Sequence, residues 1–221
     1  MDELAGAHGS EPKECIPFDE FKLIPPSKGG FSIALIGSTR SGKSTALGYI
    51  LEHYFKDHIG VLMTNSPQAE IYKAMKTVAQ SPGYLPKVIR DMAHINRETK
   101  NKYEFLAILD DVVSGVKFDK EILQMLTIYR NSNVSCIISA QAVSLMNAAG
   151  RTNINNVCLF KLNSDEQIEK VIKFYLNSYF PPSWRMIEKI KYYREKTEDH
   201  HFFIVDTLNG RICRTKIDLS K

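Results

Sequence analysis

Ile33-Ala34-Leu35-Ile36-Gly37-Ser38-Thr39-Arg40-Ser41-Gly42-Lys43-Ser44-Thr45 decides how this chain is read. An apolar run ends at a glycine, and a second glycine comes just before Lys-Ser. The pattern G-x-x-x-x-G-K-[ST] occurs once, between a strand pattern and a helix pattern, which is the setting it needs. The glycines let the backbone curl until successive N–H groups converge on phosphate oxygens. The helix that follows adds the positive end of its dipole. Lys43 is expected to reach the β- and γ-phosphates as a point charge, and Ser44 to offer its hydroxyl to Mg²⁺. Gly37, Ser38, Thr39, Arg40, Ser41, Gly42, Lys43, Ser44 and Thr45 form the expected nucleotide-binding set. The bland alternative is a glycine-rich turn with an incidental Lys-Ser, and strand, loop and helix in that order weigh against it.

Outward from the loop, short apolar runs alternate with longer mixed segments. The runs are Phe31–Ile36, Ile59–Met63, Phe105–Leu109, Val134–Ile138 and Val157–Phe160. Continuous runs of this length suit strands buried on both faces of a parallel sheet. Helices are expected over Lys43–Tyr54, Pro67–Ala79, Lys120–Tyr129, Ala142–Ala149, Ser164–Leu176 and Pro182–Tyr193. The alternation predicts an α/β fold with a doubly wound sheet. Phe202–Asp206 and Arg211–Thr215, joined through Asn209-Gly210, predict a closing β-hairpin.

Two strand ends carry the remaining chemistry. Phe105-Leu106-Ala107-Ile108-Leu109 runs straight into Asp110-Asp111. Ligands bind at the C-terminal edge of open α/β sheets, so both carboxylates are expected there. Asp110 is expected to hold Mg²⁺ through a water, and Asp111 to orient or deprotonate the attacking water. Asp111 could instead merely cap the next segment. The run Val134-Ser135-Cys136-Ile137-Ile138-Ser139-Ala140 ends at Gln141, whose neutral amide can sense a γ-phosphate; a strand-end amide satisfied by its neighbours is the alternative.

A chain of 221 residues is long enough for one domain with a sizeable core. Residues 1–16 are small, polar and mildly acidic and are expected to be a disordered tail, with a single domain over 17–221. The net charge of +4 is too small to argue for nucleic acid by itself. Cys15, Cys136, Cys158 and Cys213 form no C-x-x-C pair, which predicts free thiols in a reducing compartment. No apolar run approaches the ~20 residues of a membrane span, and the N-terminus lacks a secretory pattern.

With these residues placed, the chain resembles the FtsK/HerA division of P-loop ATPases, and within it the poxvirus-type genome-packaging ATPases of large DNA viruses and virophages. The resemblance rests on the segment Ile36–Thr45, on Ile108-Leu109-Asp110-Asp111, and on Tyr129-Arg130-Asn131-Ser132-Asn133-Val134 leading to Ser139-Ala140-Gln141. Arg151-Thr152-Asn153-Ile154-Asn155-Asn156-Val157 and the closing hairpin extend it to roughly residues 30–215. It implies a RecA-like P-loop ATPase core, a mostly parallel central sheet flanked by helices, with a C-terminal β-hairpin. It also implies ATP and Mg²⁺, and a homo-oligomeric ring, pentamer or hexamer, that pumps double-stranded DNA without regard to sequence. A capsid or inner-membrane protein at the packaging vertex is the further partner implied, and the virion or the host cytoplasm (the viral factory) the location. Each active site would receive an arginine from the neighbouring subunit. Arg130 falls at the matching position, and Arg151, which also precedes a strand, is the reserve candidate. Family members often carry Glu where Asp111 stands and Arg-His where Arg130-Asn131 stands.

Two basic stretches could face DNA phosphates, Lys87 to Lys102 and Arg185 to Lys196, although a solvated face is the ordinary explanation of each. Tyr192-Tyr193, inside the second stretch, suits core packing better than stacking on duplex bases. A GTPase would need an N-K-x-D reader; Asn101-Lys102-Tyr103-Glu104 ends in Glu and precedes the acidic strand. A small-molecule kinase would need an arginine-rich lid, for which only Arg185–Arg194 offers material. A cellular HerA/FtsK-like translocase usually carries an extra N-terminal β-domain, whereas about thirty residues precede the first strand here. A nucleotide-switched assembly module that binds ATP without pumping is the non-enzymatic alternative.

Overall fold

A computed structural model of the chain describes residues 15–65, 77–112, 120–143 and 148–217. The strands are β1 (Ser32–Ile36), β2 (Ile59–Thr64), β3 (Thr77–Pro82), β4 (Phe105–Asp110), β5 (Val134–Ala140), β6 (Asn156–Leu159), β7 (Phe202–Asp206) and β8 (Arg211–Thr215). The helices are α1 (Phe18–Phe21), α2 (Lys43–Tyr54), α3 (Pro86–Glu98), α4 (Lys120–Thr127), α5 (Ala148–Thr152), α6 (Asp165–Val171) and α7 (Met186–Lys196). All strands join one sheet in the order β3-β2-β4-β5-β1-β6-β7-β8. Pairing is parallel from β3 through β6, while β7 and β8 run antiparallel. The α/β reading, the mostly parallel sheet and the closing hairpin are all present.

Every residue of β1 and β5 is buried, as a sheet covered on both faces requires. Alternation along β1 sends Ile33 and Leu35 to one core and Ala34 and Ile36 to the other. The first core is closed by α2, through Ala46, Leu47, Ile50 and Leu51, and by the N-terminal residues Phe18, Phe21 and Leu23. The second is closed by α3, α4, α6 and α7, through residues such as Ile89, Met125, Ile168 and Tyr193. Tyr193 is fully buried and its hydroxyl donates to the Phe160 carbonyl at 2.6 Å, so the second tyrosine of the pair is a core residue.

Several elements differ from their sequence reading. The helix expected over Pro67–Ala79 is corrected at its end: Thr77–Ala79 lie in strand β3, and 67–76 fall outside the described residues. β3 is an edge strand that ends at Pro82, where the missing N–H costs no ladder bond. The stretch beginning near Lys87 is helix α3, opened by Pro86 in the first turn. Of the helix expected over Ala142–Ala149, Ala142 is not helical, Ala148 and Ala149 lie in α5, and 144–147 fall outside the described residues. The Ser164–Leu176 helix ends as a π-turn over Ile172–Leu176. In the hairpin, four residues link β7 to β8, and Asn209-Gly210 stand at this turn, with φ +64° at Gly210. The Asp206 carboxylate accepts the Leu208 and Asn209 N–H groups, both at 3.1 Å, and so organises a wider loop. The expected tail over 1–16 lies outside the described residues except for Cys15 and Ile16, and the Ile16 N–H donates to the Arg214 carbonyl at 2.9 Å. All four cysteines are free thiols.

Candidate nucleotide site

The sheet order places β5 between β1 and β4, so the phosphate loop, Gln141 and Asp110-Asp111 emerge side by side at one edge. Backbone bonds fix the loop to its neighbours. The Gly37 N–H donates to the Ala140 carbonyl at 3.1 Å, and the Ser38 N–H to the Lys161 carbonyl at 2.9 Å. A methyl group on Gly37 would sit 2.6 Å from Cβ of Phe160 and 2.7 Å from Oγ of Ser41, so only glycine fits. Gly42 closes the loop as the left-handed N-cap of α2, with φ +99°. That conformation carries a steric penalty for any residue with a Cβ.

Lys43 is buried at the start of α2, and its ammonium donates to the carbonyls of Gly37 at 2.6 Å and Ser38 at 3.0 Å. Burial pulls its pKa down, and the nearby carboxylates of Asp111 and Asp110 act against that fall. Burial pushes the Asp111 carboxyl above the usual aspartate range; Lys43 opposes the rise, Asp110 adds to it, and a hydrogen bond with the Gln141 side chain opposes it. Asp111 has a left-handed backbone, φ +53°, and its N–H donates to the Ser139 carbonyl at 3.2 Å. A non-glycine residue held there is strained, a feature found more often at functional sites than elsewhere. Lys43, Asp110, Asp111 and Gln141 are thus brought together, while Ser44 and Thr45 lie exposed on the first turn of α2.

The two arginines lie elsewhere. Arg130 sits in a 3₁₀ turn, Tyr129–Ser132, just before β5, and Arg151 in α5 just before β6. Both precede strands whose far ends meet the loop, so both lie at the edge of the sheet opposite the nucleotide site. The Arg130 carbonyl accepts the Gly30 N–H at 2.7 Å, and the Arg151 guanidinium stacks 4.1 Å above the Phe174 ring.

The basic stretches also separate. Lys87, Arg90 and Arg97 are exposed along α3 with His94. In the second stretch most cations are engaged: Arg194 pairs with Asp165 at 2.7 Å, Lys196 with Glu195 at 2.7 Å, and Lys189 is buried over Phe180. Arg185 and Lys191 remain exposed on α7 and its approach.

Sequence reasoning missed His200. The antiparallel β7 starts at the same edge where the parallel strands end, and this delivers His200 beside Gly42. A methyl group on Gly42 would lie 3.3 Å from the His200 imidazole Nδ1. No local pattern marks a histidine two residues ahead of an apolar strand.

The family model described as Poxvirus A32 protein matches residues 18–220. The chain belongs to this family. A32-family membership spans nearly the whole chain, including the loop, both strand-end clusters and the hairpin. A search of curated proteins finds no match. Among solved structures, the genome-packaging NTPase B204 of Sulfolobus turreted icosahedral virus 2, in complex with sulfate, aligns with TM-score 0.62 at 18% identity, covering 88% of this chain and all of that one. The same NTPase in complex with AMPPCP aligns with TM-score 0.59 at 18% identity, covering 86% and 98%. The pCW3 conjugation coupling protein TcpA, with ATPγS, aligns with TM-score 0.57 at 13% identity, covering 84% of this chain and 59% of that one. At these identities the likeness is one of fold.

Proposed function

We propose that this A32-family chain is an ATPase that translocates double-stranded DNA, packaging a viral genome into a preformed capsid as a homo-oligomeric ring. The observation that carries the reading is the convergence of Lys43, Asp110, Asp111 and Gln141 on one phosphate loop. B204, whose fold this chain shares, is a genome-packaging NTPase seen with nucleotide analogues, which supports the same reading.

Lys43 exchanges its two loop carbonyls for phosphate oxygens. The N–H groups of the loop and of the first turn of α2 accommodate the rest of the phosphate charge. Ser44 and Asp110 would hold Mg²⁺: a hydroxyl and a carboxylate are the hard oxygen donors that this ion prefers, and Asp110 lies close enough to act on the neighbouring Lys43. Bound there, the ion would neutralise charge on the transferred phosphoryl group. Asp111 takes the proton of the attacking water. Its raised pKa makes it a stronger base than an exposed aspartate, and its bond to Gln141 fixes its direction. Arg130 reaches the γ-phosphate of a neighbouring subunit, with Arg151 in reserve. Exposed cations such as those along α3 give sequence-independent phosphate contacts.

Hydrolysis measured with and without duplex DNA tests the reading. The expected outcome is turnover that rises with duplexes of any sequence and falls steeply with added salt, since phosphate contacts release counterions. Turnover indifferent to DNA would leave a switch rather than a motor.

A further inference from the structure

Four consecutive carbonyls, from Arg130 to Asn133, each accept a hydrogen bond from outside their own segment. Those of Arg130 and Asn133 accept the backbone N–H groups of Gly30 at 2.7 Å and Phe105 at 3.3 Å. Those of Asn131 and Ser132 accept side-chain amides, from Asn101 at 3.2 Å and Asn96 at 2.8 Å. The turn that carries Arg130 is therefore tied to the end of α3 by two asparagines, as well as to β4 and to the approach to β1.

The two asparagines differ in kind. Asn96 is fully buried and also holds the Tyr103 backbone, so it belongs to the core. Asn101 is exposed, and its amide reaches the carbonyl of the residue next to Arg130. That reach has a backbone cause. Lys100 and Asn101 both take left-handed backbone, φ +56° and +59°, and the Asn101 N–H donates to the Asn96 carbonyl at 2.7 Å to close α3. Two successive non-glycine residues in this region are strained, and such strain persists only where the surroundings hold it. A glycine would end the helix without it. Asparagine tolerates the conformation and adds an amide that glycine lacks.

We propose that Asn101 is a positioning residue for Arg130: its amide fixes the turn from which the guanidinium crosses to the nucleotide of the neighbouring subunit. The inference rests on the trans reading of Arg130 above and adds what sets the arginine's place. Arg130 stands in a 3₁₀ turn, whose own hydrogen bonds are poorer than those of an α-helix, so anchors from outside supply the rigidity. A group that acts across an interface has to arrive at a defined position, and a displacement of about 1 Å is enough to cost rate.

Asn101→Gly separates this role from the closing of α3, because glycine adopts φ +59° freely and lacks only the amide. The measurement is single-turnover ATP hydrolysis by the full chain with Mg²⁺ and duplex DNA. Asn101→Gly should slow it by about two- to tenfold, the worth of one neutral hydrogen bond, with ATP affinity and unfolding temperature unchanged. Asn101→Asp keeps the shape but turns an acceptor toward the Asn131 carbonyl; it should slow hydrolysis at least as much, and it serves if the glycine variant proves unstable. On an Arg130→Ala background, Asn101→Gly should change nothing further, since the group it positions is gone. Mixed with a large excess of Lys43→Ala, Asn101→Gly should match the parent mixed in the same way, because the arginines then come from subunits with an intact Asn101. A parental rate in Asn101→Gly, while Arg130→Ala is slow, would overturn the inference and leave the role of Arg130 standing. A further loss on the Arg130→Ala background, or a mixture slower than the parent's, would assign Asn101 to its own subunit and overturn the inference too. An Arg130→Ala variant that hydrolyses at the parental rate would sink the trans reading and this inference together.

Discussion

At one edge of the sheet, β1, β4 and β5 end in the phosphate loop, Asp110-Asp111 and Gln141, all within reach of one another. At the opposite edge, β5 and β6 begin just after Arg130 and Arg151, which face no phosphate-binding loop of their own chain. The first edge gathers Asp110 and Asp111 around the buried Lys43, with Arg40 exposed on the loop beside it. The second carries Arg130, whose carbonyl accepts the Gly30 N–H, and Arg151, whose guanidinium lies over the Phe174 ring. A strand with its sensor at one end and an arginine at the other makes sense if the second edge of one subunit serves the first edge of the next.

The most severe way to break this comparison is Arg130→Ala. If its guanidinium acts in trans, turnover should fall by ~10³–10⁵. The decisive measurement mixes Arg130→Ala with Lys43→Ala, each inactive alone. Some interfaces then hold an intact Lys43 and an intact Arg130, and hydrolysis should return. Mixed oligomers that remain inert would move the role to Arg151, to be tested the same way. Next in size is Asp111→Asn, which keeps the shape and loses the basic oxygen; single-turnover hydrolysis should slow by ~10²–10⁴ with Mg·ATP still bound. The raised pKa of Asp111 sharpens this. Activity should be lost as pH falls through that pKa, because the protonated acid cannot accept the water's proton, and the midpoint should lie above that of an ordinary aspartate. An acid limb at the ordinary value, or one that survives in Asp111→Asn, would assign it to another group. The smallest effect is on binding. Lys43→Ala should weaken ATP by about ten- to a hundredfold, since one charged hydrogen-bonding group contributes ~1.5–3 kcal/mol. The unfolding temperature should shift by no more than about 4 °C, because a desolvated ammonium is removed together with its two loop bonds. Unchanged ATP affinity would refute the phosphate loop itself.

The first edge was largely legible in the sequence because its parts are contiguous. The loop follows its strand without a gap, and Asp110-Asp111 and Gln141 directly follow apolar runs. What could not be read was their adjacency: that β5 inserts between β1 and β4 depends on crossovers no local pattern records. α3 was missed for a different reason. Its buried face is Ile89, Met92, Ala93 and Asn96, and the last breaks the apolar period. Asn96 is buried because it donates to the carbonyls of Tyr103 and Ser132, both at 2.8 Å, and accepts the Tyr103 N–H at 3.1 Å. A polar residue satisfied by distant backbone looks like surface until the fold is known. Asn209-Gly210 marks the hairpin turn, with φ +64° at Gly210, while the part of the Asp206 carboxylate in holding the loop shows only in the fold.

β5 gives the molecule one more property. Five of its seven residues pair with β1 and six with β4, so the strand, rising about 3.3 Å per residue, is held on both sides along most of its length. The loop hangs from its last carbonyl through Gly37, the acidic pair from the one before through Asp111, and the Arg130 turn is joined to its beginning. One strand thus ties the Arg130 turn to the loop and the acidic pair through paired backbone.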